Sequence, residues 1–210
     1  MATVFEFYKV TVEGTLPLLM ARFDIDMLGD EESAKGAKRV VQTKVSKLTR
    51  REQAERLAYY IPGTRELCLP TGAFIRALRD AGSNHKMTGS RKSAKYAIAP
   101  AVLAMTEWAR LHDRDGEAYT QYEIDSRGAV NQVSKGRIAV HRPRLDQWRA
   151  TFEIRLNSSL ISEQFVQSLL VEAGMTLGVG AYRAGLGGPF GLFNVIHFDQ
   201  RDAVLADAAE

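Results

Sequence analysis

Six glycines crowd the stretch from Gly178 to Phe193, at Gly178, Gly180, Gly185, Gly187, Gly188 and Gly191. No helix or strand runs through such a density, because glycine sits poorly in either interior and favours positive φ and close backbone approach. An apolar helical pattern precedes the stretch and a strand pattern closes it, so the chain must turn here between two regular elements. Tyr182 and Arg183 sit inside the turn. Together they give a loop able to clamp an anionic, stackable polymer. The order differs from the dinucleotide-binding fingerprint, in which glycines follow a strand and open a helix. A long helix C-cap and turn is the plainer alternative.

The rest of the chain is large enough to bury a core around that turn. Its 210 residues are 45% hydrophobic, which fits one large domain over 1–210 with insertions. The net charge of +3 is modest, and its distribution says more. Eight basic residues fall between Lys35 and Arg56, Lys44 among them, against Glu52 and Glu55. Six more, including Lys86, Arg91 and Lys92, fall between Arg76 and Lys95 against Asp80 alone. Runs like these attract polyanions by phosphate contact and counterion release, although each one alone also fits an ordinary solvated surface.

Cys68 is the single cysteine, which excludes an internal disulfide and a cysteine-built metal site and suits a reducing cytoplasm. The N-terminal residues lack the basic and apolar regions of a signal peptide, and no apolar run reaches the ~18 residues that span a bilayer. A cytoplasmic protein without a membrane anchor is expected.

Alternation predicts a strand over 5–15, followed by the apolar anchor Leu16-Pro-Leu-Leu-Met20. Residues 24–47 are polar, charged and poor in core formers, so they are expected to leave the domain as an excursion. Thr49 and Glu52 have capping-box spacing and open a helix to about Leu57. A hairpin is predicted to turn at Pro62-Gly63. Phe74, Ala77, Leu78 and Ala81 share one face of a helix over 70–81, with Gly82 as its stop and Arg76 and Arg79 off that face. Pro100 favours a strand start within 98–111. A strand pair is expected within 119–144, its second member ended by Pro143. A half-buried strand follows over 148–156. Ser162 caps an amphipathic helix ending at Gly174, and a strand over 190–198 closes the chain.

Without the excursions, the order is βαββαβ, that of a ferredoxin-like or RRM-like α+β fold. Four features then resemble the RAMP superfamily, the RRM-like backbone subunits of CRISPR RNA-guided complexes and their phage- or plasmid-encoded relatives. They are the first strand with Leu16–Met20; Leu69-Pro-Thr-Gly-Ala-Phe-Ile-Arg-Ala-Leu-Arg79; the glycine stretch with Gly188-Pro-Phe-Gly191; and an insertion carrying Arg137, His141, Arg142 and Arg144. The glycine loop is less basic than in some members, and zinc ligands are lacking. The resemblance implies a single-stranded guide RNA as ligand, copies of the chain in a helical filament, other subunits of a ribonucleoprotein, and no cofactor. It casts Arg22, Arg76, Arg79 and Arg183 as phosphate contacts, and either 24–47 or 127–144 as a finger between bases. Elementary chemistry points the same way. A helix start after Pro70-Thr71-Gly72 offers N–H groups to a phosphate, arginine forks it, and Tyr182 stacks on a base for ~1–3 kcal/mol.

Some members of that superfamily cut RNA with an aspartate after the first strand, where Asp24 and Asp26 stand here. A metal-dependent ribonuclease of the same fold is therefore one alternative; solvated loop acids are the other account of the pair. His85 and His141 are expected in basic loops as phosphate donors, and His112 at the surface beside Asp113. No nucleophile elbow, P-loop or zinc pattern is present. The expectation is thus a binding protein, with a phage structural or partner-binding protein without nucleic acid as the remaining class.

Overall fold

The computed structural model of the protein describes residues 5–23, 48–87, 89, 91–130 and 137–201. The expected excursion over 24–47, with Asp24, Asp26 and Lys44, lies outside them. The elements are β1 (Phe5–Gly14), β2 (Leu18–Leu19), α1 (Arg50–Leu57), β3 (Cys68–Pro70), α2 (Thr71–Ala81), α3 (Lys95–Ala101) and β4 (Val102–Ala104). They continue with β5 (Trp108–His112), β6 (Glu123–Val130), β7 (Arg137–Leu145), β8 (Arg149–Asn157), α4 (Glu163–Thr176) and β9 (Phe193–Arg201). Short 3₁₀ turns follow α2 and lie within the glycine stretch. The class is α+β, with antiparallel sheets.

The main sheet runs β3-β5-β8-β1-β9, and β4 pairs with β8 beside β5. β1 is its centre. Val10 stands opposite Phe152 of β8 on one side and Phe198 of β9 on the other. Period-two alternation then puts Tyr8, Val10 and Val12 on the same face as Ala150, Phe152 and Ile154, all buried. α2 and α4 cover that face, packing against each other and, through α4, against β9. Phe74 of α2 stacks on Phe152 at 4.6 Å between ring centres and meets Phe193 edge-on at 5.7 Å. Truncating such a side chain to alanine costs about 3–5 kcal/mol.

The opposite face of the sheet is polar and paired within itself. Thr11 and Thr151 hydroxyls lie 3.1 Å apart, and His112 Nε2 lies 2.8 Å from Thr151. Glu13 accepts from both Arg114 and Arg149.

Local signals account for most boundaries. Thr49 N–H donates to the Glu52 carboxylate at 2.7 Å and Glu52 N–H to the Thr49 hydroxyl, the expected capping box. The hydroxyl of Ser162 accepts from Phe165 N–H at the start of α4. The expected helix face of α2 is the buried one.

Three expectations are corrected. Residues 95–101 form a helix where a strand start was expected; Pro100 stands near its end, and the strand that follows is broken into β4 and β5. Residues 105–107 bulge between them, held by Met105 N–H on the Glu153 carbonyl. Pro143 does not end β7, because its carbonyl accepts from Met20 N–H and the strand proceeds to Leu145. Gly82 ends α2 as expected, in an ordinary right-handed conformation, and it also admits Ile98, whose Cδ1 lies 2.5 Å from where its Cβ would stand. Gly174 lies inside α4, where a side chain would strike Phe193.

A second, three-stranded sheet, β2-β7-β6, is built from the Leu18–Leu19 anchor and the insertion hairpin. Leu18 pairs with Leu145, and Asp125 of β6 stands opposite Arg142 of β7.

Candidate nucleic-acid interface

The glycine stretch is a braced loop. Ala181 N–H donates to the Leu19 carbonyl, Gly191 N–H to Pro17, and Val179 N–H to Gly191, at 2.8, 2.8 and 2.9 Å. The first two bonds fasten the segment after α4 to β2 and the residue before it, and the third closes the loop on itself. Gly180 and Gly191 are among the positions that require glycine. Gly180 has φ +81 and would place a Cβ 2.5 Å from the Leu19 carbonyl; Gly191 has φ +74 and would drive one into the Val179 carbonyl. Close approach is therefore made to the protein's own backbone, and the loop is preformed. Tyr182 is the one non-glycine residue at positive φ among those described, at +48°. Such a conformation in a large side chain costs of order 1 kcal/mol and marks a position the surroundings dictate.

That bracing brings the loop across the mouth of α2. Gly178, Val179, Gly180, Ala181 and Arg183 form one wall of a cleft of about 400 Å³, and Gly72, Ala73 and Arg76 from the first turns of α2 form the other. Leu69, Pro70 and Ala77 line its floor with Ala21 and Tyr59. No side chain caps the start of α2. The cleft therefore joins the positive end of a helix to two arginines. No carboxylate among the described residues lines it. Among the described residues, neither Arg76 nor Arg183 makes a salt bridge.

Arg22 lies just beyond, its backbone N–H on the Leu57 carbonyl and its side chain on an adjoining cleft. Arg79 is exposed one turn farther along α2. Lys86, Arg91 and Lys92 are exposed beyond the far end of that helix, on the loop bridged by Lys86 and Ser93. His85 of this loop pairs with Glu172 of α4 at 2.6 Å. Hence the expected residues separate into a cleft group (Arg22, Arg76, Arg183), a far-end group, and a hairpin group.

Two arginines of the hairpin are neutralised from within. Asp125, its side chain 7% exposed, holds Arg127 at 2.7 Å and Arg144 at 3.7 Å; Arg144 also reaches Asp146. The Asp125 hydrogen bond holds Arg127 above the usual guanidinium range. Burial lowers Arg142, whose Nε is buried without a partner among the described residues. His141 lies in β7, not in a basic loop. It is buried, with Nδ1 2.7 Å from the Ser126 hydroxyl, which removes it from contact with an outside phosphate. Arg137 pairs through its backbone with Val130. Tyr182 joins this region to the cleft: its ring centre lies 6.1 Å from Phe190, over which Arg127 sits at 4.5 Å.

Sequence reasoning passed over Phe23, Tyr59 and Trp108. They lie on three separate segments and meet at the adjoining cleft of about 460 Å³. No periodicity links them, so only the fold reveals the group. Among the described residues, no cluster of three or more His, Cys, Asp or Glu is placed to hold a metal, and no helix is long and apolar enough to cross a membrane. Asp24 and Asp26 fall outside the described residues. No family model matches the chain, and no curated protein matches it significantly.

Proposed function

We propose that this chain is an RNA-binding backbone subunit of a CRISPR-type RNA-guided complex, with an RRM-like βαββαβ core of the RAMP kind. The strand order β9-β1-β8-β5, antiparallel throughout and with both long helices on one face, supports the ferredoxin-like part of this reading. One observation carries the binding part. Among the described residues, the cleft between the glycine loop and the start of α2 holds two arginines without salt bridges beside a helix start that no side chain caps, and no acid lines it. Such a site takes phosphate oxygens by charge-assisted, bidentate hydrogen bonds. A single strand threaded there lies between Arg183 and Arg76 and continues toward Arg22, and copies of the chain take up successive stretches of the same strand.

The test is a fluorescence-anisotropy titration of labelled single-stranded RNA. Arg76→Glu combined with Arg183→Glu is expected to weaken binding by about 100-fold or more, since each charge-assisted hydrogen bond contributes about 1.5–3 kcal/mol. The single change Arg183→Gln is expected to lower the salt slope by about 0.7 for each phosphate that is no longer neutralised. Unchanged affinity in the double variant rejects the cleft, and a wild-type chain that ignores RNA at moderate salt rejects the function.

A further inference from the structure

Beside the phosphate cleft lies a second one, and the two share Tyr59. Arg22, Phe23, Tyr60 and Trp108 line it, with the Ile61–Thr64 turn at its rim. Phe23 stands 70% exposed at its edge. Tyr59 and Trp108 form a tilted aromatic pair, ring centres 6.4 Å apart. At about 460 Å³ the cleft falls within the roughly 300–1,000 Å³ of small-molecule sites. Among the described residues, its lining contains one cation and no carboxylate. Thus an aromatic pocket with a guanidinium adjoins an anion-binding cleft, the pairing that one nucleotide of a single strand presents as base and phosphate.

We infer that this cleft is a nucleobase pocket, in which a base turned out of the strand stacks against the Tyr59–Trp108 wall under Phe23. The inference rests on the phosphate-cleft reading above and names what that strand does next. Stacking is its main source of affinity, because the side-chain hydroxyls at hand, that of Tyr60 on Glu55 included, are already engaged. The Thr64 hydroxyl donates to the Ile61 carbonyl at 3.0 Å, and the Tyr59 hydroxyl to Ala21 at 3.4 Å. A pocket that reads ring faces without reading base edges accepts any base, so binding there is sequence-tolerant.

Two signals separate this inference from the function it rests on. Anisotropy of a labelled homopolymeric single-stranded RNA reports strand binding, and tryptophan emission reports Trp108. The only other tryptophan, Trp148, is 2% exposed and donates to the Leu16 carbonyl. RNA is expected to quench the wild type and to leave Trp108→Phe unquenched. Trp108→Ala and Phe23→Ala are each expected to weaken binding by roughly 5- to 150-fold. Because Phe23 is exposed, its variant keeps the test valid if Trp108→Ala fails to fold. Uridine and adenosine polymers are expected to bind within a few-fold of each other. Tight anisotropic binding with unquenched Trp108 and an unaffected Phe23→Ala overturns the pocket and leaves the cleft standing. No binding at all overturns both. Quenching that grows with protein concentration without RNA, in a chain whose RNA affinity ignores Phe23→Ala, assigns the pocket to a neighbouring chain and overturns it as well.

Discussion

The arginines of the cleft and those at the base of the β6–β7 hairpin share a residue type and differ in what answers their charge. Around Asp125, Arg127 and Arg144 are already bonded, and Arg142 is half-withdrawn from solvent. At the cleft, Arg76 and Arg183 face each other across an opening that no acid lines among the described residues. The first set holds two strands together; the second is available to something outside. A basic residue therefore indicates a ligand only when the fold leaves its charge unanswered, and arginine counts along the sequence cannot tell these cases apart.

The sharpest way to break this contrast is to remove the acid at the hairpin base. Asp125→Ala leaves three arginines facing one another, and about 2 kcal/mol of stability is expected to disappear, since the partners are partly solvated and the full penalty of a buried pair is reduced. RNA affinity is expected to stay within about twofold in the same preparation, as the cleft is untouched. A urea titration beside an anisotropy titration checks both halves; a large drop in affinity would show that the hairpin base is part of the interface.

Gly180→Ala tests the link between the regions. Its positive φ and the Leu19 carbonyl 2.5 Å away make any Cβ strained, at about 1–2 kcal/mol by thermal or urea melting. Arg183 depends on the same loop, so affinity is expected to fall as well. A variant that loses stability and binds normally would show that the loop positions nothing.

The smallest effect concerns Glu55, which stands apart from both regions and accepts from Tyr122 at 2.7 Å, Tyr60 at 3.0 Å and Arg65 at 2.9 Å. Burial alone would raise its carboxyl. The two hydroxyls and the guanidinium outweigh burial and hold it below its ordinary 4.5. A carboxylate depressed in this way stabilises the fold fully above 4.5, and that contribution is lost as pH falls through the lower folded value. The expected difference in urea midpoint between wild type and Glu55→Gln is therefore present at pH 7 and shrinks toward zero in acid, with a size of a few tenths of a kcal/mol after solvent screening. A constant difference across pH would rule out the charge as its origin.

Much of the fold was legible where a local signal decides the structure. The Thr49–Glu52 box, the Ser162 cap and the apolar face of α2 each depend on residues within a few positions of one another. What failed depended on partners far along the chain. Residues 98–101 lie in a helix beside Gly82, and Pro143 stays in β7 because Met20 uses its carbonyl. The cleft was half legible: Arg76, Arg183 and the glycines were found by composition, yet the glycines turned out to accommodate Leu19 and Val179, not a ligand. Phe23, Tyr59 and Trp108 left no trace, since no pattern of spacing joins them.

The central place of β1 has a consequence in time. Val10 is wedged between Phe152 and Phe198, so the strand that emerges first has both of its neighbours near the other end of the chain. Closing loops of that length comes before any of those pairings can form, which makes the main sheet slow to assemble and ties its completion to the last strand. During synthesis β1 stands exposed while most of the chain is made, and the glycine loop that walls the first cleft is among the last segments to take its place.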